Sequence, residues 1–406
     1  MWLITRGSSV FDLERICTAV RASLTSNEYA PSSLMHILFI PSWFETPEQP
    51  TSGKAVKDLA YALAYEGIKV NFLFQSGAPL PLRSTLNHQI EVWHSRSGWR
   101  GKLFPIWNQV SLWSYLRVFK QYIQVHGIPD LIHIHSYPLL PLARLLYKKY
   151  GIRIVYTEHS SGIAQQKLTR PERWLLKTYM SDFIHPVAVS HFLKSGINAI
   201  VPGIPISVIP NTIDFNYFKP GPKTDNPDLI MVNLLNKNKQ VDLGLKVFSA
   251  WIKLHPGARL HIIGDGPERK NLEVLAESFG ITEQLKWWGE KSAENWLSQL
   301  QSSACLLFLS RLETFGVVVL ESLACEIPVV CLQNKGIEDI PVGEVIPILP
   351  HEADESQIVK AMQQVIDRFK QGAGHKLRDD LRARFDYPVV ARQYITLYQN
   401  ILNSAN

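Results

Sequence analysis

The chain has 406 residues, 46% hydrophobic and 19% charged, with four cysteines and no Cys-x-x-Cys pair. That composition suits two or three folded domains and excludes a disordered chain, a zinc ribbon and a disulfide-stapled scaffold. The net charge of +6 is unevenly spread: residues 35–215 hold 18 Lys and Arg against 10 Asp and Glu, and residues 216–406 hold 21 against 23.

In chain order, the first convincing strand starts at Met35. Residues 1–34 read as a dispensable extension: Arg6, Asp12, Glu14 and Arg15 break its apolar stretches before a signal peptide could form. No apolar run approaches the roughly 18 residues of a membrane span. Strand Ile37–Ile40 leads through a loop into helix Ala55–Tyr65, where Val56, Leu59, Ala60 and Leu63 recur at helical spacing. Strands follow at 69–74, 90–93, 131–134, 152–156, 186–189 and 207–209. After a polar, proline-containing segment at 214–227 the alternation restarts with strands at 229–233, 259–263, 285–288, 305–309 and 328–332. Helices are expected between them at 241–254, 267–279, 293–301 and 316–324, and at the end of the chain at 355–370, 376–385 and 389–402. This is a βα series of the doubly wound kind, repeated twice. The expected domains are 35–215 and 216–386, both Rossmann-like, with 387–406 a C-terminal helix packing back on the first. Cys305, Cys325 and Cys331 sit in apolar runs and read as buried free thiols.

The sharpest chemical signal is Glu313-Thr314-Phe315-Gly316-Val317, followed by Glu321 eight residues after Glu313 and by Pro328-Val329-Val330. A strand ends, a glycine turn follows, and a helix opens with free amides toward an anion. Glu321 is a carboxylate within a largely apolar helix, which points to a role beyond solvation.

This pattern resembles the nucleotide-sugar signature of retaining GT-B glycosyltransferases of the family-4 type. Pro41-Ser42-Trp43 with Pro50-Thr51-Ser52-Gly53 is similar to that family's N-terminal glycine loop, and Thr157-Glu158-His159-Ser160-Ser161-Gly162 to its histidine loop. Val189-Ser190 and Ile209-Pro210-Asn211-Thr212-Ile213-Asp214 resemble the segments leading into its linker, and Ile263-Gly264-Asp265-Gly266-Pro267 its donor-domain glycine turn. The resemblance covers 35–406 and implies a GT-B fold, with two Rossmann-like domains facing across a cleft. It further implies an enzyme that moves a sugar from a nucleoside diphosphate sugar to a glycan, lipid-linked or small-molecule acceptor with retention. His159, Lys239 and Glu313 would be catalytic. Gly53, Lys237, Gly264, Gly266, Phe315, Gly316, Val317 and Glu321 would bind the donor, Glu321 through the ribose hydroxyls. Leu234 stands where the family usually has an arginine, leaving the diphosphate to Lys239 with Lys237 alongside.

No metal and no cofactor is expected beyond the co-substrate: Asp-x-Asp is absent, and His133 and His135 alternate on one strand face without an obvious third ligand. Arg96, Arg100, Lys102, Arg117 and Lys120 interleave with Trp99, Phe104, Trp107, Trp113 and Phe119, which suits peripheral contact with an anionic membrane. The expected location is the cytoplasm, at the inner membrane face. No nucleic-acid motif is present. Two other readings stay open: a nucleotide-sugar epimerase on the same fold, and an inactive homologue.

Overall fold

The computed structural model describes residues 35–404 apart from 47–50, 78–79, 87–89, 97–103, 182, 223–225 and 344, and of 104–111 the backbone alone. The expectations for residues 1–34, Trp99, Arg100 and Lys102, and for the side chains of Phe104 and Trp107, lie outside the described residues.

The first sheet contains β1 (His36–Pro41), β2 (Lys69–Ser76), β3 (Arg83–Leu86), β4 (Ile90–Arg96), β5 (Leu131–His135), β6 (Arg153–Glu158), β7 (Ile184–Ala188) and β8 (Ser207–Val208). Their order across the sheet is β3-β4-β2-β1-β5-β6-β7-β8, parallel except for β3 against β4. Every residue of β1 and β5 is buried, because helices cover both faces of a central parallel strand. The exposed–intermediate alternation of β3 fits a short edge strand, and its weak apolar pattern left it unforeseen.

The second sheet runs β11-β10-β9-β12-β13-β14, all parallel, from β9 (Leu229–Val232), β10 (Leu260–Ile263), β11 (Leu285–Gly289), β12 (Cys305–Phe308), β13 (Val329–Leu332) and β14 (Ile348–Leu349). The single helix expected over 293–301 is instead a 3₁₀ turn at Ala293–Asn295 and a helix at Leu297–Ser302. They are divided at Trp296, whose backbone (φ −131°) leaves the helical range while its indole donates to Lys291 O.

Helix Tyr387–Asn403 returns from the second half to the first. Asp386 caps it by accepting from Tyr387 N, and Val390, Tyr394 and Tyr398 pack with Ile37, Phe39 and helix Lys54–Tyr65. Tyr398 and Tyr394 place their hydroxyls on His133 and Thr157 within the first sheet. Each sheet also has a switch point, where successive connections leave in opposite directions: between β1 and β5 in the first, and between β9 and β12 in the second. Crevices at the carboxyl ends of such strand pairs are where this architecture holds ligands.

Candidate functional site

At the β9/β12 switch point, loops 233–240 and 309–316 lock together. Asn238 Nδ2 donates to Leu312 O at 2.9 Å, and Arg311 N donates to Asn238 O at 2.9 Å. Asn236 caps the 3₁₀ turn Lys237–Lys239 by accepting from Asn238 N and Lys239 N. This turn aims Lys239 at Glu313, and the two side chains form an ion pair. Buried Asn334 fixes the other loop: its Oδ1 accepts from Glu313 N at 2.9 Å and its Nδ2 donates to Ser310 O at 3.0 Å. Lys237 and Leu234 are both exposed, Leu234 at 57%.

Gly264 and Gly266 pack against the loop that carries Lys239. A Cβ on Gly264 would lie 1.8 Å from Asn233 O, and its φ of +124° is one that side-chain-bearing residues avoid. They support that loop, whatever contact they make with a donor. Gly316, at φ +90°, opens helix Val317–Ala324, and Phe315 turns its ring into the core against Phe385. Only the backbone of Phe315 is left to face a ligand.

Glu321 is 1% exposed, in the second turn of that helix. Lys54, the first residue of helix Lys54–Tyr65 after Gly53, reaches across from the first half. Its Nζ lies 2.7 Å from Glu321 Oε1 and 2.7 Å from Asp58 Oδ2, with the Phe218 ring 5.4 Å away. Burial alone would lower the ammonium's pKa, but Asp58 and then Glu321 hold it above the usual lysine range. Burial raises the Glu321 carboxyl, Lys54 opposes that, and Asp58 adds to it. Thr51 adds another link between the halves by donating from its hydroxyl and amide to Glu290, and Asp339 adds a third by accepting from His191 N at 2.6 Å.

The first half presents a different surface. His133 and His135 stack with ring centroids 4.2 Å apart on β5. His133 is bonded to Tyr398 and Thr157 at 2.7 Å each. His135 Nδ1 lies 3.3 Å from His159 Nε2, and Trp43 meets the His159 ring edge-on at 5.4 Å. Burial lowers His159 to about 4, so the ring is neutral at ordinary pH. The buried Glu158 carboxylate accepts from the amides of His159 and Ser160 at 2.7 Å each and from Tyr137 N at 3.2 Å, which sets the loop that carries His159. Among the described residues no group of three His, Cys, Asp or Glu side chains is placed to hold a metal ion. Lys54, Asp58, Glu290 and Asn334 escaped motif reasoning, and Glu158 stood in the histidine loop without an assigned role. The one signal for Lys54 and Asp58 was their place in the helix following Gly53.

A cavity of about 480 Å³ lies elsewhere, at the amino ends of β12 and β13, with Trp251, Ile327 and Phe369 in its wall. It is at the opposite end of the second sheet from Lys239 and Glu313.

Comparison with known proteins matches both halves. The Glycosyltransferase Family 4 model matches residues 52–217 and the Glycosyl transferases group 1 model residues 212–382. The gpi3 subunit of phosphatidylinositol N-acetylglucosaminyltransferase from Schizosaccharomyces pombe is 24% identical over 73% of this chain, which spans 66% of that relative's length. N-acetyl-alpha-D-glucosaminyl L-malate synthase from Bacillus anthracis is 25% identical, over 88% of this chain and 95% of that protein. Sucrose-phosphate synthase from Thermosynechococcus elongatus has the same fold, with a TM-score of 0.76, 19% identity and coverage of 91% of this chain and 100% of that one. With two parallel-sheet halves matching consecutive family models from residue 52 to residue 382, the chain belongs to the GT-B glycosyltransferases of the family-4, group-1 type.

Proposed function

We propose that this protein transfers a sugar from a nucleoside diphosphate sugar to an acceptor hydroxyl with retention of anomeric configuration, and that the second half holds the donor. The observation that carries the reading is the Lys239–Glu313 pair at the β9/β12 switch point, with Glu321 on the helix that follows Glu313. Lys239 neutralises the leaving diphosphate, a role we assign to it rather than to a metal ion. One preorganised hydrogen-bond donor where negative charge develops is worth about 2.7–4 kcal/mol in other enzymes. Glu313 holds sugar hydroxyls, Glu321 accepts from the ribose hydroxyls, and the backbone at Phe315, Gly316 and Val317 faces the phosphates at the helix N-terminus. Gly53 and the glycine turn at Gly264 and Gly266 shape the donor crevice, and Lys237 lies at its rim. Neutral His159 faces the reacting carbon from the first half.

In a same-face mechanism the diphosphate oxygen that leaves also accepts the acceptor's proton, so Glu313 need not be a nucleophile. Glu313 is ion-paired with Lys239, which suits a binding role better than attack. Two relatives are named as N-acetylglucosaminyl enzymes, so N-acetylglucosaminyl donors head the panel to test. The test is thermal shift across nucleoside diphosphate sugars, where a tight donor stabilises by mass action, followed by determination of the product's anomeric configuration. An inverted product would overturn retention, and isomerised donor without acceptor would mean an epimerase.

The acceptor we propose is a glycan or lipid-linked molecule at the cytoplasmic membrane face. On helix Phe104–His126, Tyr115, Phe119 and Tyr122 are buried, while Trp113 (73% exposed), Arg117 and Lys120 face outward. No helix among the described residues is long and apolar enough to cross a membrane. Each basic residue near an anionic surface contributes about 1 kcal/mol. Full-length protein should therefore sediment with anionic vesicles at low salt, and reversing Arg117 and Lys120 to Glu should release it. Protein that stays in the supernatant rules out the membrane contact.

A further inference from the structure

Lys54 lies outside every motif, yet it is the side chain that meets the buried carboxylate of the donor crevice. It belongs to the first half and Glu321 to the second, and the 2.7 Å contact joins them. Glu321 Oε1 is buried and has no aligned hydrogen-bond donor among the described residues, so the ion pair is its compensation. A lone buried carboxylate escapes its desolvation penalty by taking up a proton. A protonated Glu321 would be a poor acceptor for two hydroxyls at once.

We propose that Lys54 is a positioning residue for the donor: from across the crevice it supplies the positive charge against which buried Glu321 is held as a carboxylate, aimed at a pair of ribose hydroxyls. The proposal rests on the donor reading above for the ribose, and on the structure alone for the ion pair. Asp58, the other partner of Lys54, takes the hydroxyl of Tyr387 from the last helix at 2.9 Å, so the lysine is anchored from its own half before it meets Glu321. The groups that face Glu321 are Lys54 and Asp58 from helix Lys54–Tyr65, Tyr217 from the segment between the halves, and Cys325 at the end of its own helix. Arg378, from helix Ala373–Phe385, turns instead to the carbonyls of Ala324 and Phe215. Lys54 is thus the one cation of this set paired with Glu321, and Asp58 pushes the other way. Without the lysine, buried Glu321 would face a second carboxylate with no cation between them, which favours its protonated form.

The experiment is carried out on the full chain, labelled with ¹³C at the glutamate side-chain carboxyl, with Glu321 assigned by its loss in Glu321→Gln. In wild type the Glu321 resonance should be that of a carboxylate throughout pH 6.5–8.5. In Lys54→Met, or in Lys54→Gln should the first fail to fold, it should titrate within that range; Lys54→Arg should behave as wild type. A wild-type resonance that titrates above pH 7, or a Lys54→Met resonance that does not move, overturns the proposal. This readout needs no ligand, so it judges Lys54 even if the donor reading fails.

Binding then reads the consequence, using whichever of UDP, GDP, ADP and CDP the wild-type protein binds most tightly. Lys54→Met should bind it at least about fivefold more weakly than wild type at pH 6.5, with the ratio closing toward pH 8.5. The 2′,3′-dideoxy analogue should show no such closing. Tighter binding by Lys54→Met at all pH values would show that Lys54 competes with the donor, and would overturn the proposal. A carboxyl that titrates as expected while the dideoxy analogue behaves like the ribonucleotide would refute the ribose role of Glu321 and leave the hold of Lys54 on it standing.

Discussion

The two halves carry the same βα architecture but present opposite chemistry at their switch points. The β9/β12 crevice is built from paired charges: Lys239 with Glu313, and Glu321 with a lysine from across the cleft. The β1/β5 crevice is built from neutral rings and hydrogen bonds, with His133, His135 and His159 kept uncharged by burial. A diphosphate leaving group calls for fixed charge, and an acceptor hydroxyl for neutral hydrogen-bonding partners. On the proposed reading the difference divides the reaction between the halves, although one fold supplies both.

The strongest way to break that division is Lys239→Ala. It should lower turnover at least about a hundredfold, the scale of losing one preorganised donor, while acceptor affinity is unchanged. Turnover within about threefold of wild type would move the leaving-group charge to another residue.

Acid probes the other half. Burial depresses the three histidines, with His159 at about 4. As pH falls below about 6.5 the unfolded chain binds protons on these residues that the folded chain refuses. The stability they contribute is present above pH 6.5 and is lost as pH falls toward 4. The raised carboxyl of Glu158, burial its main cause, works in the opposite sense and softens the fall. Denaturant midpoints at pH 7, 5.5 and 4.5 should decline in that order, and a flat series would show that the rings protonate freely in the folded state.

Lys237→Ala should have the smallest effect, below about threefold on turnover, because the side chain is exposed and its turn is capped by Asn236. A loss larger than that of Lys239→Ala would put the leaving-group role two residues earlier.

Much of this was legible in the sequence because it is local. The central strands are continuous apolar runs, the glycine turns stand beside them, and Glu313 and Glu321 fall on one strand-turn-helix unit. Part of what escaped depends on residues far apart in the chain, and part on single hydrogen bonds. Lys54 carries no signal of its own until Glu321, 267 positions later, is placed against it. Asn334 and Glu158 bind backbone amides, and such bonds leave no periodic trace in a sequence. Trp296 divides a helix where its backbone leaves the helical range and its indole donates to Lys291 O, a local bond that periodicity does not announce. Glu290 marks a crossing between the halves, and only the juxtaposition of the sheets reveals it.

The most direct measurement of the division of labour is calorimetry of nucleoside diphosphate binding to Glu321→Gln and His159→Ala. Glu321→Gln keeps the size of the side chain and removes its charge, so it should lose about 1.5–3 kcal/mol of binding, the range for hydrogen bonds to a charged group. His159→Ala should bind within about threefold of wild type, because on the proposed reading its ring faces the acceptor rather than the diphosphate. If His159→Ala abolishes diphosphate binding while Glu321→Gln leaves it unchanged, the halves have been assigned the wrong way round.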